Sequence, residues 1–267
     1  MVGKKLEKNF NFQNVNYFMI NKFLKDIYKN KIIIGHNKTY RNPKMSKFIL
    51  LKDKRFDIIN PLKFLKNQNK AKKFLEECAY IGGMILYVST KKQLKNIIEK
   101  YAKKSNMPYI NYKWPAGLLT NIRNTRLSIK NKNILKKQKD TIYKYLSKKE
   151  KMLIDRKYNR IKKKYGTILN MNRLPMAIII VDVKKEYIAL KEAQKKSIYT
   201  IGIVDTDSNP DNIDYVIPAN DDLSKSINYI LKNITKYIIK GLNKRKKKLK
   251  LYDKKGNKKN IKNKKIN

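Results

Sequence analysis

Met176-Ala-Ile-Ile-Ile-Val181, closed at once by Asp182, is the longest apolar run in the chain. A short block of Ile and Val between Pro175 and a charged residue suits a strand buried on both faces, which is what a parallel sheet requires once helices cover it. Downstream, the pattern continues as a helix over Glu186 to Lys196, strands over Tyr199 to Val204 and Tyr215 to Ile217, and a helix over Asp221 to Leu242. Upstream lie a helix over Pro61 to Ala79, a strand over Met84 to Val88, a helix over Lys91 to Lys104 and a short strand around Tyr109 to Asn111. This alternation predicts an α/β domain with a parallel sheet between helical layers.

The remaining segments break the alternation. Asn16 to Tyr28 carries Tyr17, Ile20, Leu24 and Ile27 at helical spacing, Ile32 to Met45 is loop-like, and Phe48 to Leu51 with Phe56 to Ile59 suggests a hairpin. From about residue 118 to 165 the chain is helix-compatible but sparse in apolar residues, which predicts a long helical hairpin held by a narrow seam. Ser147 and Glu150 have the spacing of a capping box for its return helix. Residues 1–15 are expected to be a flexible extension, residues 16–242 the α/β body with its hairpin, and residues 243–267 a basic disordered tail.

Charge narrows the function. The 267 residues carry 66 Lys and Arg against 20 Asp and Glu, a formal charge of +46. Self-repulsion on that scale favours a polyanionic partner and argues against an ordinary metabolic enzyme. The Lys, Asn, Ile and Tyr bias also matches AT-rich codons, which discounts part of the charge argument. One cysteine, Cys78, and one histidine, His36, build neither a disulfide framework nor a zinc finger. The longest apolar run is far short of the roughly 20 residues that span a bilayer, and no signal or transit peptide is legible, so no membrane partner is expected.

No G-x-G-x-x-G follows a strand and no G-x-x-x-x-G-K-[ST] occurs, so neither phosphate-binding fingerprint is present. Gly82 and Gly83 precede a strand and read as a turn. Asp182, Asp205, Asp207, Asp211 and Asp214 stand at or past strand ends, where Asx side chains commonly cap turns, and a metal or phosphoacceptor site is the alternative. His36 reads as a structural imidazole and Cys78 as core. No catalytic residue, metal or cofactor is assigned, and no small-molecule substrate is expected.

The basic loops are more informative. Arg41 and Lys44 flank Pro43, Lys113 and Trp114 precede a Pro115-Ala116-Gly117 turn, and Asn121, Arg123 and Arg126 open the helical hairpin. Arg forks onto phosphate, Asn reaches base edges or 2′-hydroxyls, and this mixture suits irregular RNA. Lys244, Arg245 and Lys246 begin the tail and add phosphate contacts.

At these residues the chain resembles the universal small-subunit ribosomal protein two family of bacterial and organellar ribosomes. Gly35 to Met45 is similar to the family's G-H-x-T-R-x-W-N-P-K-M, with Arg41 at the usual Trp, and Lys113 to Asn121 to its R-W-L-G-G-M-L-T-N, with Pro115 and Ala116 departing. Leu174 to Asp182 with Glu186, Ala189, Glu192 and Ala193 resembles a third block. Ile203 to Pro210 with Val216 to Asp222 resembles a fourth, while Ser197, Ile198 and Tyr199 replace its G-I-P.

The resemblance implies a flavodoxin-like three-layer domain with a five-stranded parallel sheet and an inserted long helical hairpin. It implies a non-enzymatic constituent at the neck between head and body of the small subunit, with small-subunit rRNA and neighbouring small-subunit ribosomal proteins as partners. Composition and the missing import peptide point to an organellar ribosome in a relict, apicoplast-type plastid, with a mitochondrion or an AT-rich bacterium as runner-up. Two other classes stay open on the residues alone: a flavodoxin-like or response-regulator-like ligand-binding enzyme, and a general DNA-binding nucleoid protein.

Overall fold

The computed structural model describes residues 17–53, 55–165, 168, 171 and 173–263, so the expected extension at 1–15 lies outside the described residues. The central sheet contains β4 (Ile85–Val88), β5 (Tyr109–Ile110), β6 (Ala177–Val181), β7 (Tyr199–Val204) and β8 (Tyr215–Pro218). Its order is β5-β4-β6-β7-β8 and every pairing is parallel. The Ile-rich run therefore forms the middle strand, paired to β4 through Ile85 and Ala177 and to β7 through Ile179 and Ile201.

Successive side chains of a strand point to opposite faces, and the two faces hold separate cores. Tyr87, Ile179, Val181, Ile201 and Ile203 share a core with Ile27 of α1 (Tyr17–Lys29) and with α2 (Pro61–Ile81), α3 (Lys95–Ser105) and α7 (Ser224–Asn263). Leu86, Val88, Ile178, Ile180 and Val204 face α6 (Tyr187–Lys195) together with Trp114, Leu118 and Leu119. Helices on both sides of a five-stranded parallel sheet make the covered sheet that the alternation predicts and the flavodoxin-like three-layer domain that the resemblance implies.

Local chemistry explains where the elements begin and end. Asn60 caps α2 by accepting the Leu62 amide at 3.0 Å ahead of Pro61, and Gly82 ends it at φ 88°, a conformation open to glycine without strain. Gly241 lets α7 approach α2 so closely that a β-carbon would collide with the Glu76 carbonyl oxygen. α2 and α7 thereby pack side by side on one face of the sheet. No helix among the described residues is long and apolar enough to cross a membrane.

Three differences from the sequence reading stand out. Ile32 to Met45 is not wholly loop: β1 (Ile34–Asn37) joins β3 (Phe56–Ile59) and β2 (Ile49–Lys52) in a small antiparallel sheet of order β1-β3-β2. Gly35, His36 and Asn37 have little strand propensity, and pairing of Ile34 with Ile58 overrides it. The last helix does not stop at Leu242, because α7 continues to Asn263 through the segment expected as a disordered tail. Lysine is a good helix former, and extending an already anchored helix avoids the cost of nucleation. The third concerns Arg41 and Trp114, which the site geometry takes up.

The helical hairpin is α4 (Ile122–Thr141) and α5 (Lys148–Tyr165). Ser147 and Glu150 make the capping box, with the Ser147 amide donating to Glu150 at 2.9 Å and the Glu150 amide to the Ser147 hydroxyl at 3.4 Å. Polar links tie the far end of the hairpin: Tyr143 donates to Asp155 at 2.8 Å and Lys139 pairs with the same carboxylate at 2.5 Å.

Candidate RNA-binding surface

The chain after β5 turns tightly, and Glu192 from α6 holds the turn. Its Oε1 accepts the Trp114 indole N–H at 3.0 Å and the Gly117 amide at 2.7 Å, while Oε2 accepts the Leu119 amide at 3.0 Å. A buried carboxylate that gathers several donors pre-shapes the loop instead of leaving it to fluctuate. Trp114 is consequently only 8% exposed and packs in the second core, so its ring is not a stacking surface for a base. This corrects the expectation that Trp114 contacts RNA. What the turn does present is Lys113 and, just beyond it, Asn121, Arg123 and Arg126, all exposed. Asn121 caps α4 by accepting the Asn124 amide at 3.3 Å, so its oxygen is committed to the backbone.

Arg41 is held by a second buried acid. Its Nε donates to Asp57 Oδ2 at 2.5 Å and its second guanidinium arm to Asp57 Oδ1, a fork–fork pair with a wholly buried carboxylate. That pair fastens the Lys38 to Phe48 segment to β3 and engages two of the five guanidinium N–H donors. Lys44 is exposed and pairs with Asp211 across the loop after β7. The Asn42 amide donates to the Thr206 carbonyl at 2.9 Å, which holds this segment against the carboxyl ends of the sheet strands.

Lys244, Arg245 and Lys246 lie elsewhere. α7 leaves the carboxyl end of β8 and runs back along the sheet, about 30 Å in 20 residues, so these side chains emerge at the amino ends of the strands. There Lys244 pairs with Glu76 at 2.6 Å, Arg245 lies over Gly82, and Arg173 donates to the Gly82 carbonyl at 2.9 Å. Lys246 is exposed. Of the ten residues expected to touch RNA, Lys44, Lys113, Asn121, Arg123 and Arg126 lie toward the carboxyl ends of the strands and Lys244, Arg245 and Lys246 toward the amino ends, while Trp114 is buried and Arg41 is paired with Asp57.

Sequence reasoning missed Glu192 and Asp57 as organisers of the first surface. Glu192 carried a signal, being an acid among Ala189, Leu190 and Ala193 on the buried face of α6. It also missed two exposed aromatics beside basic residues, Tyr40 at 67% and Tyr112 at 58% exposure.

Between β6, β7 and β8 the carboxyl ends hold a contrasting acidic cluster. Asp182 Oδ1 accepts the Lys185 amide at 3.0 Å and Asp205 Oδ1 the Thr206 amide at 2.6 Å, which are turn-capping roles. Burial, partly offset by His36, pushes the Asp205 carboxyl up to about 6, and burial opposed by Lys91 pushes Asp221 up to about 8. The lining of this depression includes His36, Lys91, Asp182, Asp221 and Asp222.

Residues 27–241 match the family model described as Ribosomal protein S2. The chain belongs to the ribosomal protein S2 family. It is 50% identical over 206 residues to the small ribosomal subunit protein uS2 of Karelsulcia muelleri (strain GWSS), covering 77% of this chain and 93% of that one. It is 42% identical over 229 residues to the uS2 protein of Flavobacterium johnsoniae, covering 85% and 90% respectively. The uS2 protein of Flavobacterium psychrophilum is 42% identical over 226 residues, covering 84% of this chain and 85% of that protein. The S2 family is structural and non-enzymatic. Its match spans Lys44, Lys113, Asn121, Arg123 and Arg126 and stops at residue 241, before Lys244, and these relatives are bacterial, so the ribosome concerned is of bacterial or organellar type.

Proposed function

We infer that this protein is a structural constituent of the small ribosomal subunit that supports translation by binding folded small-subunit rRNA through two basic surfaces. The observation that carries the reading is the turn organised by Glu192, which puts the exposed Lys113, Arg123 and Arg126 on a rigid mount at the root of the helical hairpin. Exposed Tyr40 and Tyr112 beside these loops supply faces for unpaired bases, the usual mode of single-stranded RNA recognition. The lysines on α7 form the second surface and contribute charge neutralisation. Neck rRNA and adjacent small-subunit proteins are the partners the family reading implies. A general nucleoid role is disfavoured, since duplex DNA offers no splayed bases to such a mount.

For the compartment, the AT-rich composition alone supports a plastid, while 50% identity to a bacterial relative supports the cytoplasm of an AT-rich bacterium equally directly. Locating the protein by mass spectrometry of purified ribosomes separates the two.

The central test replaces Lys113 and Arg123 together by Ala and measures incorporation into small subunits reconstituted from rRNA and purified proteins. The expected result is a loss of roughly tenfold or more in incorporation, from two phosphate contacts worth about 1 kcal/mol each, with an unchanged melting temperature. Normal incorporation would place the interface elsewhere, and equal competition by duplex DNA would favour the nucleoid reading.

A further inference from the structure

The solvent side of α7 is a single row of cations. Between Ser224 and Asn243 the exposed side chains of this helix are Lys225, Lys232, Lys236, Lys240 and Asn243. Beyond the match to the family model, which ends at residue 241, the row continues in Lys247 and Lys250. At 3.6 residues per turn these positions fall within a sector of about 80°, and from Lys225 to Lys250 they follow the helix axis for about 37 Å. The opposite side of α7, through Ile227, Ile230, Ile234 and Ile238, is buried in the core, so the row faces outward. Contacts on the two flanks fix that azimuth: Asn228 accepts the Tyr101 hydroxyl of α3 at 2.7 Å, and Lys244 pairs with Glu76 of α2.

The row has no balancing acid, since no Asp or Glu occurs from Ser224 to Tyr252. Lys240 leans to Glu76 at 3.5 Å, whereas Lys225, Lys232, Lys236, Lys247 and Lys250 form no ion pair among the described residues. Glu and Lys one helical turn apart attract each other. Lys232, Lys236 and Lys240 stand one turn apart with like charge, an arrangement that repels until an anion lies across it.

The side chains absent from the row say which anion fits. A protein partner would need apolar anchors at the centre of its contact, and a single strand of RNA would need aromatic faces for its bases. No large apolar or aromatic side chain of α7 is exposed ahead of Leu249. Lysine is a point charge that takes phosphate without reading a base, and a straight line of such charges matches the regular backbone of a duplex.

We propose that Lys225, Lys232, Lys236, Lys247 and Lys250 form a phosphate track for double-stranded RNA lying lengthwise along α7. The proposal rests on the rRNA-binding reading and deepens its second basic surface, naming the partner there as a duplex segment held by shape and charge, independent of sequence. The turn at the root of the hairpin is a separate contact.

The test uses the full-length protein and a blunt RNA duplex of about 20 base pairs, without loops or splayed bases, in filter binding across a salt series. Lys232→Gln with Lys236→Gln is expected to weaken duplex binding about tenfold and to flatten log K against log salt by about 1.8, from two contacts at roughly 0.9 each, with an unchanged melting temperature. Lys232→Arg with Lys236→Arg should keep the wild-type affinity. Lys195→Gln with Lys196→Gln takes the same charge from exposed positions beside α6, on the other face of the sheet, and should leave duplex binding within about twofold. Unchanged duplex affinity in the Lys232 and Lys236 variant, an equal loss in the Lys195 and Lys196 variant, or a preference of about tenfold for duplex DNA over the RNA duplex would each overturn the track. If small-subunit rRNA then still binds and Lys113→Ala with Arg123→Ala still weakens it, the RNA-binding reading stands without the track. If the wild-type protein binds no small-subunit rRNA, that reading falls and the track falls with it.

Discussion

Glu192 and Trp114, 78 residues apart in the chain, are joined by a 3.0 Å hydrogen bond from the indole N–H to the carboxylate. The same carboxylate serves three backbone amides of the turn, so this side chain replaces solvent for a whole loop. Removing it strands several buried donors together. Glu192→Ala is expected to cost about 3–5 kcal/mol in chemical denaturation. It should also shift the emission of the single tryptophan to longer wavelength as the indole gains water. An unshifted spectrum with native stability would refute the organising role.

Arg41 and Arg123 should behave oppositely when truncated. Arg41→Ala leaves Asp57 buried and unpaired, so about 3 kcal/mol of stability is expected to vanish. Arg123→Ala removes an exposed cation, and the melting temperature should stay within about 1 °C, as expected for a surface change away from such features. Thermal melts of the two variants side by side make the comparison.

Binding of the wild-type protein to small-subunit rRNA should be steeply salt-dependent. Each phosphate contact contributes a slope of roughly −0.7 to −0.9 in log K against log salt. Lys113→Ala with Arg123→Ala should flatten that slope by about 1.5, whereas Glu192→Ala should weaken binding through disorder with less change per contact. Filter binding across a salt series reads the slopes directly.

Lys72 makes stability depend on alkaline pH. Burial pulls its ammonium down to about 8 from an ordinary 10.5, although the Tyr237 ring 5.6 Å away returns some cation–π attraction. Between those values the unfolded chain binds more protons than the folded one. The penalty for burying the charge is therefore full below pH 8 and fades as pH rises to 10.5, so this group's contribution to stability rises through that window. Lys72→Met is expected to raise stability at pH 7 by about 1–2 kcal/mol and to lose most of that advantage by pH 10. Denaturation midpoints of both proteins at the two pH values test the sign.

Gly241→Ala should be destabilising by about 1–3 kcal/mol even though alanine is the better helix former, because its methyl group meets the Glu76 carbonyl and the Ala79 β-carbon. Equal or greater stability would show that α2 and α7 can separate without loss.

The central sheet was legible because strands buried on both faces leave continuous apolar runs, and Ile178 to Val181 has no other simple reading. β1 was not, because Gly35, His36 and Asn37 become a strand only through β3. The site was legible in part. Lys113 and Arg123 stand exposed where their neighbourhood suggested, yet Trp114 and Arg41 were read by residue type as RNA-facing. Each is engaged by a buried acid, Glu192 or Asp57, whose proximity arises only on folding. Residue type reports what a side chain is able to bind, and tertiary pairing decides whether it is still available.

The unbroken course of α7 past Leu242 changes how its lysines act. Over 40 residues a helix is a rod of about 60 Å, and its side chains advance 100° per position. Deleting a single residue near Asn243 would therefore swing the cations from Lys244 to Lys250 to a new azimuth, as though a key had been twisted in its lock. A slack tether would absorb the same deletion without consequence.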